Sequence, residues 1–184
     1  KYRAGDSQVD KLIVLGLGLL GASICAAAKK LGLASEIIGI SRRQSTIEIA
    51  HAKEIIDKSS DSLATLAGNF GEDDLLVLAV PTLAMKSVLS ECQEHVPPSV
   101  TITDVASVKT KIIEFAEQAY GDIPKNFVPG HPIAGSEKSG INAANPDLFK
   151  NHKVVLTPKE MTNQGHINKV SEIWTRLGAD VTFM

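Results

Sequence analysis

The chain has 184 residues, 43% of them hydrophobic and 22% charged, with a formal net charge of −2. That length supports one domain with its own core, or one domain and a small extension, without disulfide or metal staples. Its 19 basic residues are scattered rather than striped, which argues against nucleic acid as a partner, and no apolar run reaches the ~20 residues of a membrane span.

Lys1 to Asp10 reads as an N-terminal extension, with no leader pattern visible. "KLIVLG" (11–16) predicts a buried strand, followed by a helix of small residues over 19–31. "SEIIGIS" (35–41) predicts the second strand and "STIEIAHAKEI" (45–55) the next helix. "DDLLVLAV" (73–80) is the strongest strand signal and ends at Pro81. A helix over 82–95 stops at Pro97-Pro98. A strand over 100–105, a helix over 109–120 and the short run "NFV" (126–128) come next. The run 153–157, a helix over 164–177 and "DVTFM" (180–184) make one more β-α-β unit. Strands alternating with helices predict an α/β fold, a doubly wound and mostly parallel sheet with helices on both faces. Cys25 and Cys92 lack CxxC spacing. They read as small apolar side chains in a reducing compartment, so a cytoplasmic location is expected and no metal site is.

Gly16-x-Gly18-x-x-Gly21 falls at the first strand-to-helix junction. Each glycine has a separate reason to be there. Gly16 permits the tight turn, Gly18 lets backbone approach a pyrophosphate, and Gly21 lets the helix pack close to the sheet. Free N–H groups at the helix start then hold the anion. The spacing alone would suit packing glycines equally, but its place between strand and helix makes it a dinucleotide fingerprint. Residues 11–184 are therefore read as a Rossmann-type dinucleotide-binding domain, with Gly16, Leu17, Gly18, Leu19, Leu20 and Gly21 against the cofactor.

A site for NAD usually ends its second strand with an acid that accepts from the ribose 2′-hydroxyl. Here that strand ends Ser41-Arg42-Arg43. Glu36 is the nearest acid, but it begins the strand, about 15 Å away at ~3.3 Å per residue. A guanidinium grips a 2′-phosphate through paired donors, whereas a carboxylate would repel it. NADP is the expected cofactor, with NAD as the second choice. Solvated loop charges are the competing account of Arg42 and Arg43.

Ligands of open α/β sheets collect beyond the carboxyl ends of the strands. Three such ends stand out. Ala79, Val80 and Pro81 are expected beside the nicotinamide half; "TDVASVKT" brings Asp104, Ser107 and Lys109; "PGHPIAGSEKSG" brings His131, Ser136 and Glu137. A Gly-His-Pro turn gives His131 little apolar cover, so it is a poor core histidine. His51, His95, His152 and His166 are expected to face solvent. Ser107 also suits a helix cap.

"GLGLLGAS", "SRRQST", "TDVASVKT" and "GHPIAGSEKSG", in this order, resemble the prephenate/arogenate dehydrogenase family of tyrosine biosynthesis, and the likeness runs over essentially the whole chain. "SRRQST" resembles the NADP-using arogenate branch in particular. The resemblance implies oxidative decarboxylation of a cyclohexadienol, prephenate or arogenate. His131 matches the family's histidine, which takes the ring hydroxyl's proton; Ser107 matches the serine that orients that hydroxyl and the nicotinamide. Ser136 and Glu137 match residues at the substrate mouth, Ser136 standing where many relatives have threonine, and Lys109 is grouped with them as substrate-binding. The family's helical C-terminal domain, which supplies a substrate-binding arginine and builds a homodimer, is not in this sequence, so a fragment of a longer protein is expected. Two other readings remain: a β-hydroxyacid-type dehydrogenase, for which Lys109 is the acid/base candidate, and a non-catalytic dinucleotide-binding regulatory domain.

Overall fold

A computed structural model of the chain describes residues 9–135 and 137–184. Strands β1 (Val9–Leu15), β2 (Ala34–Ile40), β3 (Lys58–Ser60), β4 (Leu75–Leu78), β5 (Thr101–Asp104) and β6 (Phe127–Val128) form one sheet in the order β3-β2-β1-β4-β5-β6. All five pairings are parallel. This is the dinucleotide-binding order, with the direction of winding reversing between β1 and β4.

Helices α1 (Leu19–Leu31), α2 (Gln44–Ala52), α3 (Met85–His95), α4 (Lys109–Tyr120) and α5 (Gln164–Arg176) cover the sheet. Period-two alternation along β1 divides the core in two. Leu12 and Val14 pack with Ile24 and Ala28 of α1 and with Val170 and Trp174 of α5. Ile13 and Leu15 point the other way, to Met85 and Leu89 of α3 and Ile112 of α4. Both cysteines are buried and free, one in each half, and burial pushes both thiols up to about 12, leaving them protonated. No helix among the described residues is long and apolar enough to cross a membrane.

A second, three-stranded sheet holds β7 (Gly130–Pro132), β8 (Lys153–Leu156) and β9 (Asp180–Phe183). β8 and β9 run parallel with α5 between them in sequence, the expected β-α-β unit. β7 is antiparallel to β8 and pairs His131 with Val155. Phe149 and Trp174 meet edge to face, centroids 5.0 Å apart, beneath this sheet.

Several boundaries differ from the sequence reading. β1 already runs from Val9, inside the expected extension. α2 ends at Ala52, because Glu54 turns to φ 57° and delivers Ile55 and Ile56 to the core from a loop. β4 begins only at Leu75, since the buried Asp74 carboxylate takes the Gly71 N–H (2.7 Å) and the Lys11 N–H (3.0 Å) and closes the turn before it. The short, polar β3 carries no strand pattern.

Candidate active site

The ends of four strands lie in register. Leu15 pairs with Ile40 and with Leu78, and Leu78 pairs with Asp104. The residues just past those ends are Ser41, Gly16, Ala79 and Val105, and all four line one cleft of about 790 Å³. At ~4.8 Å between strands, this row extends about 14 Å along the carboxyl edge. Its ladder continues beyond the strands through Gly16 N–H to the Ile40 carbonyl (2.9 Å) and Ala79 N–H to the Leu15 carbonyl (2.8 Å).

The glycine loop forms the floor. Gly16 has φ 102°, and a Cβ there would run into the Ala79 carbonyl; a Cβ on Gly21 would run into the Gly16 carbonyl. Those two glycines serve the protein's own packing. Gly18 is different, because a Cβ on it would meet nothing. Gly18 is also the N-cap of α1 and lends no side chain to the helix start, whose first turn holds no acid. The N–H groups there are left for an anion. Open space over Gly18 and an uncapped helix end fit a diphosphate, as the sequence reading requires.

At the β2 end, Ser41 and Arg43 line the cleft together with Thr46 of α2. The Arg43 N–H donates to Ser41 Oγ at 3.2 Å. Arg42 points away; its side chain is 83% exposed and lies 3.8 Å from Glu91. Glu36 pairs with Lys58 at 3.1 Å at the opposite end of β2, so no acid of that strand reaches the cleft.

At the β5 end, Val80, Pro81, Ala106 and Ser107 line the cleft with Leu17, Leu19 and Leu20. Ser107 is exposed and does not cap α4; the N-cap is Val108, without a side-chain bond. The organising group is Asp104, fully buried at the strand's last position. Its Oδ2 accepts the Ala106 N–H at 3.0 Å and the Lys109 ammonium, and its Oδ1 accepts the Gly130 N–H at 3.1 Å. Burial pushes the carboxyl up and the ammonium down, and their mutual attraction opposes both shifts.

His131 follows Gly130 directly and is partly buried. Desolvation lowers its pKa below the ordinary 6.5 and Lys109 pushes it further down, against a smaller pull from Asp104. The imidazole is thus neutral at physiological pH, the form that accepts a proton. Glu137 is exposed on the loop after β7. Ser136 lies outside the described residues. Three expectations about histidine change, since His95 is half-buried, its side chain 22% exposed. His166 is half-buried rather than fully solvent-facing and shares a 2.6 Å hydrogen bond with buried Thr101. His152 keeps its Nδ1 buried. His51 is exposed, as expected.

The lining residues that sequence reasoning missed are Thr46, Ile49, Thr82, Val105, Ala106 and the stretch Ser139 to Asn142. Buried Ser23 of α1 holds that loop by accepting the Asn145 N–H at 3.0 Å. The Gly, Ser and Asn content of "KSGINAAN" was the available signal for a loop near a site.

Over 150 residues this chain is 38% identical to the prephenate dehydrogenase of Lactococcus lactis subsp. cremoris, a match covering 81% of this chain and 41% of that protein. It superimposes on the crystal structure of Aquifex aeolicus prephenate dehydrogenase, in complex with hydroxyphenyl propionate and NAD+, with TM-score 0.86, 30% identity and 96% and 60% coverage. Synechocystis arogenate dehydrogenase matches with TM-score 0.83 and 34% identity over 95% of this chain and 59% of that one. The chain therefore spans about two to three fifths of these relatives. Residues 24–183 match the family described as "Prephenate dehydrogenase, nucleotide-binding domain", and with the glycine-floored cleft already in place, the chain belongs to that family.

Proposed function

We propose that this chain is the nucleotide-binding part of an NADP-dependent enzyme that oxidatively decarboxylates prephenate or arogenate. The observation that carries this reading is the hydrogen bond from Gly130 to Asp104. It fastens the His131 strand to the same strand end whose next residues, Ala106 and Ser107, line the glycine-floored cleft.

The dinucleotide, once bound, supplies a two-electron acceptor for the hydride on the ring carbon that bears the hydroxyl. The N–H groups at the start of α1 hold its diphosphate. Ser41 and Arg43 bind a 2′-phosphate, about 14 Å along the row of strand ends from the β5 end. Ser107 orients the substrate hydroxyl. His131, neutral when substrate enters, takes the hydroxyl proton as the carbon is oxidised. The ring carboxylate then departs as carbon dioxide and its electron pair aromatises the ring, which leaves a phenolate oxygen. His131 returns the proton to that oxygen and is neutral again for the next cycle. Glu137 and Ser136 stand at the substrate's entrance. Lys109, already balanced by Asp104, contributes there as half of a neutral pair. The likeness to longer relatives supports a further domain that completes the substrate pocket and builds a homodimer.

Prephenate and arogenate are supplied separately to the complete enzyme with NADP or NAD, and the absorbance of reduced cofactor is followed. Reduction with one of the two substrates, faster with NADP, is the expected result. A complete enzyme that binds dinucleotide yet reduces none with either substrate contradicts the reading.

A further inference from the structure

Asp104 touches neither the cleft wall nor, on the reading above, the substrate, yet it joins every part of the β5 side of the site. Its Oδ2 holds the Ala106 N–H and so sets the start of the loop that presents Ser107. Its Oδ1 holds the Gly130 N–H and so sets the residue that precedes His131. Packing reinforces the second contact, because a Cβ on Gly130 would lie 3.0 Å from the Asp104 carbonyl oxygen. Lys109, in the first turn of α4, closes the arrangement with its ammonium on Oδ2. A fully buried carboxylate is costly unless paired and hydrogen-bonded, and here both oxygens are satisfied. A sheet end in need only of a cap would require one of these bonds, not three that converge from separate segments.

We propose that Asp104 is a positioning residue that fixes the Ser107 loop and the His131 strand relative to one another, with Lys109 as its counter-charge. This inference rests on the dehydrogenase reading of the site. Its consequence is specific. Shifting the carboxylate without removing it displaces Ser107 and His131 and slows the chemical step, while the dinucleotide floor, built by Gly16, Gly18 and α1, is untouched.

The test uses the complete enzyme, with kcat expressed per mole of bound dinucleotide. Asp104→Glu keeps the charge pair and moves the carboxylate by one methylene. The expected result is dinucleotide affinity within about threefold of the parent and kcat lower by roughly tenfold to a hundredfold, the scale of a ~1 Å misplacement. Asp104→Asn with Lys109→Met removes both charges together, so that neither is stranded, and is expected to behave alike. A role in stability alone would lower Tm and the folded fraction but leave kcat per bound dinucleotide at the parent value; that result in Asp104→Glu overturns the proposal. His131→Asn is measured alongside. Lost turnover there with parent-like Asp104→Glu rejects only the positioning role, whereas parent-like turnover in His131→Asn overturns the functional reading and the proposal together.

Discussion

Asp104 and Gly130, 26 residues apart in sequence, are joined by a buried hydrogen bond of 3.1 Å from the Gly130 N–H to Asp104 Oδ1. Through it the last central strand of the parallel sheet and the first strand of the smaller sheet share a corner. On the β5 side of that corner Val105, Ala106 and Ser107 line the cleft, whereas His131, the residue after Gly130, is not among its lining residues. The two sheets are therefore not independent layers. In the function proposed above, their junction is where the electron acceptor and the proton acceptor meet the substrate.

The surroundings of His131 set a pH dependence. Desolvation and the Lys109 charge disfavour the imidazolium, so the folded-state pKa lies below 6.5. In the proposed mechanism the neutral base is the working form, so activity is expected to be lost as pH falls through that lowered value. The kcat/KM profile of the complete enzyme should be flat near neutrality, with an acid limb below pH 6.5. A limb at or above pH 7 would mean that another group titrates.

The proposed preference for NADP rests on the end of β2. Arg43, not the outward-pointing Arg42, shares the cleft with Ser41. Replacing Ser41→Asp and Arg43→Ala removes the phosphate's cation and installs an acceptor for a ribose hydroxyl. The NADP/NAD ratio of kcat/KM is expected to fall by at least roughly tenfold, about 1.4 kcal/mol. An unchanged ratio places the phosphate elsewhere.

Gly21 and Gly18 should fail differently. Gly21→Ala drives a Cβ into the Gly16 carbonyl, so a large loss of Tm or of soluble protein is expected. Gly18→Ala meets no protein atom, so Tm should stay within a few degrees while dinucleotide affinity, measured by titration calorimetry, drops by roughly tenfold or more. Parent-like affinity in Gly18→Ala would remove the diphosphate from that position.

Much of this was legible in the sequence because its signals are local. Apolar runs of strand length, glycines at a strand-to-helix junction and proline stops fixed the order of the elements and the floor of the cleft. Ser41 could be placed for the same reason, since it directly follows a strand. What escaped depends on partners distant in sequence. Asp104 looks like any acid at a strand end until Gly130 and Lys109 are seen on it. His166 looks like a surface helix residue until Thr101, 65 residues away, is found at its ring. The 3-residue β3 is polar and is a strand only because β2 offers it an edge. Arg42 and Arg43 were indistinguishable by type; the turn into α2 sends them in different directions.

The central claim is that His131 accepts the substrate's proton, and turnover in His131→Asn of the complete enzyme tests it most directly. Asparagine retains hydrogen-bonding capacity but cannot act as a base near neutral pH. The account predicts NADP affinity within about threefold of the parent and kcat lower by roughly 10²–10⁴-fold, the contribution of a general base. Turnover within a few-fold of the parent would contradict it.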